Sequence, residues 1–172
     1  MKITTVPLSA LLAACALMAQ ASADEYPANF RAHLSGDQEV PIRDTNAQGQ
    51  ATFKLSKDGS ELSYRLIVAN IDNVVASHIH IGPQGANGPV VAFLFGSVPP
   101  AGGRSDGVLA EGTITSANLV GPLAGQELSV LVEAMTTGGT YVNVHTNDGV
   151  VPTNTGPGDF PGGEVRGQIS GK

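Results

Sequence analysis

"GQATFKLSKDGSELSYRLIVA", residues 49–69, decides the fold. Ala51, Phe53 and Leu55 alternate with polar residues, Asp58-Gly59 interrupts, and Leu62, Tyr64, Leu66 and Val68 resume the alternation. A period of two puts the apolar side chains on one face of a strand. An Asp-Gly pair between two such runs turns one strand back on the other. The stretch predicts an antiparallel hairpin with one buried face.

The same grammar extends outward. In "NFRAHLSG", residues 29–36, Phe30, Ala32 and Leu34 alternate with Arg31, His33 and Ser35. Further strands are predicted at 74–81, 90–95, 108–115, 140–146 and 163–170. Seven or eight short strands with regular turn signals predict an all-β fold, an antiparallel Greek-key sandwich or flattened barrel. One segment departs from this. In "AGQELSVLVEAMTTGG", residues 124–139, Leu128, Leu131, Val132 and Met135 fall at helical spacing, which predicts one short helix near 126–137 ended by Gly138-Gly139. Two loops stand out. Residues 96–107 read as a plain exposed connection, whereas residues 147–162, "NDGVVPTNTGPGDFPG", are long for a structureless loop in a compact domain.

The first residues read differently. Residues 6–19 are almost all apolar after Lys2, and Ala21-Ser22-Ala23 is a small-x-small cleavage site. This predicts a secretory signal peptide over 1–23 and a single domain over 24–172, secreted or periplasmic. The apolar run is too short for a spanning helix, so no transmembrane segment is expected. Leu12-Ala13-Ala14-Cys15 resembles a lipobox and leaves a lipoprotein acylated at Cys15 as the alternative. Cys15 is the only cysteine, so after cleavage at Ala23 neither disulfides nor thiol chemistry is available. The formal charge is −6, and −7 without Lys2. Nucleic acid and anionic lipid are thereby disfavoured as partners. A monomer or weak oligomer is expected, with an extracellular protein partner left open.

Three of the four histidines sit in two strands. In "SHIHI", residues 77–81, His78 and His80 share one face while Ile79 and Ile81 point to the other. In "TYVNVHT", residues 140–146, Val142 and Val144 face the core, and Tyr141, Asn143 and His145 face away. If the two strands are neighbours, His78, His80 and His145 converge outside the barrel wall. Imidazole nitrogens suit copper and zinc alike, so the three are candidate ligands for either ion. The alternative is solvent-exposed strand histidines hydrogen-bonded to the following loop. His33 has the same outward setting but no tie to the others and reads as a surface residue.

Together "FRAHLSGDQEVP" (30–41), "SHIHIGPQGANGPVVAFL" (77–94), "YVNVHT" (141–146) and "GGEVRGQI" (162–169) resemble a CHRD domain, the module named after chordin. The resemblance implies an extracellular β-sandwich and assigns no chemistry. A more distant resemblance is to the copper/zinc superoxide dismutases. It implies a copper role for His78, His80 and His145, and an anion-guiding role for Arg166 if the chain is dismutase-like. Residues 82–140 contain no histidine, so the bridging imidazole and the zinc ligands of that family have no counterpart. Asp148 and Asp159, in the long loop, are candidates to orient the imidazoles, or are plain turn residues. Glu39 and Glu164 read as structural, with Glu164 and Arg166 placed to form a surface ion pair. Three functions stay open: a secreted binding module with a three-histidine copper or zinc site and no demonstrated catalysis, a copper-dependent dismutase-like oxidoreductase, and a metal-free structural or interaction module.

Overall fold

The computed structural model describes residues 26–172. The segment read as a signal peptide, with Cys15, lies outside the described residues. The strands are β1 (Asn29–Ser35), β2 (Gln48–Leu55), β3 (Leu62–Asp72), β4 (Val74–Ile81), β5 (Val90–Gly96), β6 (Arg104–Ile114), β7 (Thr140–Thr146), β8 (Val165–Gln168) and a two-residue β9 (Ser170–Gly171). One helix, α1 (Leu128–Thr136), precedes β7. All pairings are antiparallel, in the order β5-β4-β7-β8-β1-β2-β3-β6, with β9 also on β1.

The chain makes this order because β1, β2 and β3 form a meander and β4 then crosses to the far half. Asn73 is the corner between β3 and β4, with a positive φ of 54°. Its side chain accepts from Gly103 N–H at 3.0 Å and its own N–H donates to the Gly103 carbonyl at 2.8 Å. The two ends of the path, β5 and β6, approach each other, so the sheet curls into a nearly closed barrel. Tyr64 on β3 spans the gap, its hydroxyl donating to the Leu94 carbonyl on β5 at 2.8 Å.

The alternation is realised as burial. In β2 the pattern is strictly exposed–buried, and Phe53 and Leu55 on it face Tyr64 and Leu62 on β3. Asp58 Oδ1 binds the turn by accepting from Ser56 Oγ, Ser60 N–H and Ser60 Oγ. Ile79, Val142 and Val144 enter the core from the other half. Helix α1 buries Leu128, Leu131, Val132 and Met135, the predicted face. It ends in a paired motif: Gly138 N–H donates to the Met135 carbonyl, and Gly139 N–H to the Ala134 carbonyl. Gly138 has φ 70°, the left-handed state this ending needs.

The start of β6 differs from expectation. Strand β6 begins at Arg104, because Arg104, Ser105 and Gly107 pair with β3, so the connection after β5 is shorter than residues 96–107. Residues 147–162 carry no helix or strand, as read from the sequence. No helix among the described residues is long and apolar enough to cross a membrane.

Candidate metal centre

Strands β4 and β7 are hydrogen-bonded neighbours. His78 lies opposite Asn143, His80 opposite Tyr141, and His145 opposite Ala76. The three imidazoles therefore emerge on one outer face of the β4–β7 ladder. Each offers a nitrogen, and the three nitrogens all lie within 4.8 Å of one another. Among the described residues this is the one group of three or more histidines or acidic residues so arranged. His33 is exposed on β1 and stands apart from it.

The face is outside the barrel wall but is not open to solvent. His80 is 8% exposed, and His78 and His145 are partly buried. Burial departs from the reading of solvent-exposed strand histidines, while the hydrogen bond from His80 to Gly88 in the loop after β4 is the kind that reading expects. Two loops cover them, and each supplies a backbone carbonyl. His80 Nδ1 donates to the Gly88 carbonyl at 2.8 Å, and His145 Nδ1 to the Pro161 carbonyl at 2.9 Å. A carbonyl only accepts, so both rings carry their proton on Nδ1 and present a bare Nε2. His80 Nε2 is buried and has no hydrogen-bond partner. His145 Nε2 stands 3.1 Å from His78 Nδ1. Glycine at 88 is required, because a Cβ there would run into the Ile81 carbonyl, and the close return of the loop places the Gly88 carbonyl on His80.

Aromatic rings frame the site. Tyr141 stacks on His80 at 4.8 Å between centroids and 10° between planes, and Phe93 meets His78 edge-on at 4.7 Å. Phe93 is itself half exposed and marks the outer rim of the site.

Burial sets the protonation. It pulls His78 from 6.5 down to about 4, helped by the neighbouring His145 and His80. It also lowers His80 and His145, against the Gly88 and Pro161 carbonyls, which favour the charged rings. Asn143 stands close enough to favour protonated His80, yet neither Asn143 Oδ1 nor His80 Nε2 completes a hydrogen bond. At neutral pH the three rings are uncharged, the state in which imidazole can ligate a cation.

Several sequence expectations need correction here. Glu164 and Arg166 form no surface ion pair. Glu164 is buried and accepts from Thr45 Oγ1 and Thr146 Oγ1, both at 2.6 Å, and from Gly158 N–H at 2.9 Å. Arg166 is 1% exposed. Its guanidinium donates to the Pro83 and Ala86 carbonyls at 3.0 and 2.9 Å and to Asn87 Oδ1 at 3.2 Å, and lies 3.4 Å over the Tyr141 ring. Its donors thus point into the protein, not at an incoming anion. Neither Asp148 nor Asp159 hydrogen-bonds to an imidazole. Asp148 caps its own turn through Val150 N–H, and Asp159 accepts from Thr155. The orienting groups are the Gly88 and Pro161 carbonyls, which no residue pattern reveals, since every residue has one. Glu39 is buried beside Asn143, Arg166 and Arg43, and burial raises its carboxyl to about 7.

Comparison with known proteins adds one match. The family model for the CHRD domain covers residues 30–169. No curated protein matches the chain.

Proposed function

The chain belongs to the CHRD domain family, and from that premise we propose that it is an extracytoplasmic binding module holding one copper or zinc ion on His78 Nδ1, His80 Nε2 and His145 Nε2. The observation that carries this reading is the 3.1 Å separation of His78 Nδ1 and His145 Nε2 beside the buried, unpartnered Nε2 of His80. Two nitrogens bound to one ion at about 2.0–2.1 Å stand roughly 3.0–3.4 Å apart at ordinary bond angles. In His80 and His145 the ring nitrogen turned away from the cluster is anchored on a backbone carbonyl, which is how ligand histidines are usually held. An ion at this place satisfies the buried lone pair of His80, which otherwise costs free energy.

Metal analysis of the protein purified from its own compartment without added metal tests the reading. About one copper or zinc per chain, lost in His80→Ala, is expected. A metal-free protein that also takes up neither ion from solution would leave the metal-free module as the function.

Turnover as a copper dismutase has less support. No bridging histidine is present among residues 82–140, and the Arg166 guanidinium is committed to loop carbonyls. Export is part of the proposal and rests on the apolar run at 6–19 and on Ala21-Ser22-Ala23. The intact mass of the exported protein checks it: a first residue of Asp24 is expected, and an acylated Cys15 would instead place the module on a membrane surface.

A further inference from the structure

We infer that Arg166 is a positioning residue for His80: from β8 it clamps the loop 82–89 and the Tyr141 ring, and through both it fixes which nitrogen of His80 faces the ion. The inference rests on the metal-binding reading of the previous subsection.

Two separate paths lead from Arg166 to His80. The first runs through the backbone. The loop 82–89 contains no helix or strand. Two of its carbonyls, Pro83 and Ala86, and the Asn87 side chain are taken by the one guanidinium. Asn87 in turn donates from Nδ2 to the Val40 carbonyl at 2.8 Å, tying the loop to the neighbouring connection. The next residue is Gly88, whose carbonyl holds His80 Nδ1. The second path runs through the ring. The guanidinium carbon lies 3.4 Å over the Tyr141 ring, and the same ring stacks on His80 of β4, the strand on the other side of β7 from β8. The Tyr141 hydroxyl also accepts from Gly88 N–H at 3.1 Å, which joins the two paths.

The residue type fits this task. A guanidinium is a planar fork that can donate to several acceptors while its face rests on an aromatic ring. A lysine ammonium is a point charge and cannot do both. Arg166 is also in no ion pair among the described residues. The buried Glu39 carboxyl lies near enough to feel its charge, but every hydrogen bond of the guanidinium goes to loop 82–89. His145 supplies the contrast. Its anchor is the Pro161 carbonyl on the other loop, which is not among the hydrogen-bond partners of Arg166. Loss of the clamp therefore releases one imidazole and spares the other.

The test reads histidine tautomers by long-range proton–nitrogen correlation NMR on metal-free protein near neutral pH, beside Cu(II) affinity. In the wild type, His80 and His145 are each expected as single Nδ1–H tautomers. In Arg166→Lys, His80 becomes a mixture while His145 is unchanged, and Cu(II) affinity falls about 10–100-fold. The milder Asn87→Ala shifts His80 in the same direction by less. An unchanged His80 in folded Arg166→Lys overturns the inference, as does loosening of His80 and His145 together, which marks a general structural effect. Should Arg166→Lys not fold, an unchanged His80 in Asn87→Ala overturns it instead. Failure of the wild-type protein to bind Cu(II) would sink the metal reading alone, because the tautomers are read without metal.

Discussion

His78 Nδ1 and His145 Nε2 stand 3.1 Å apart although they are not register partners. His145 faces Ala76 and His78 faces Asn143, so the two imidazoles meet along a diagonal of the β4–β7 ladder. Diagonal neighbours on one face of an antiparallel pair are within reach of long side chains. His145 already carries its proton on Nδ1, for the Pro161 carbonyl. Without metal, His78 must then be the donor, through Nδ1–H.

This relationship predicts a tautomer switch. Binding an ion through His78 Nδ1 requires that proton to move to Nε2, while His80 and His145 keep theirs on Nδ1. Nitrogen shifts of labelled histidine, before and after one equivalent of Zn(II), check it. Only His78 should change tautomer. A change at His80 or His145 would contradict the assignment of ligand atoms.

The metal-free protein should lose stability on acidification. His78 is held near 4 in the fold against an ordinary value of 6.5, so its contribution is complete above about pH 6.5 and disappears as pH falls towards 4. His80 and His145 are shifted in the same direction. Urea melts in chelator, from pH 7 to pH 4, compare the wild type with His78→Gln. The wild type should lose more stability over that range, and equal losses would refute the burial of an uncharged His78.

Glu39 acts with the opposite sign. Its carboxyl is raised from 4.5 to about 7, first by burial, so the folded state holds a proton that the unfolded chain gives up. Its contribution falls as pH rises from about 4.5 to 7. A shift of that size corresponds to roughly 3 kcal/mol. Glu39→Gln, which keeps the uncharged form, should match the wild type near pH 4 and exceed its stability by up to about 3 kcal/mol at pH 8. An equal or less stable variant at pH 8 would show that the Glu39 carboxylate is well accommodated.

Much of the architecture was legible because the sheet is amphipathic. The alternation in 49–69 gave a hairpin whose buried positions are those read from the sequence, and Asp58-Gly59 is its turn. The strands predicted at 74–81 and 140–146 match β4 and β7 to the residue. Their adjacency was only conditional in the sequence, because pairing between strands some 60 residues apart depends on Asn73 turning the chain into the second half of the barrel. The start of β6 was missed, since Arg104-Ser105-Asp106-Gly107 is polar and reads as loop, and its strand form comes from pairing with β3. The site was legible only as residue types sharing a face. Its cover, its carbonyl anchors and the inward aim of Arg166 follow from loop conformation, for which alternation gives no signal. Glu164 and Arg166 looked like surface residues because two-residue spacing reports a shared face and not what lies over it.

Three imidazoles sharing one copper leave a countable signature in pulsed EPR on protein given one equivalent of Cu(II), since imidazole nitrogens couple to the copper electron. One Cu(II) per chain with three imidazole nitrogens is expected, reduced to two or lost altogether in His80→Ala, and unaffected by His33→Ala. A copper signal lacking imidazole nitrogen, or one unchanged in His80→Ala, would contradict it.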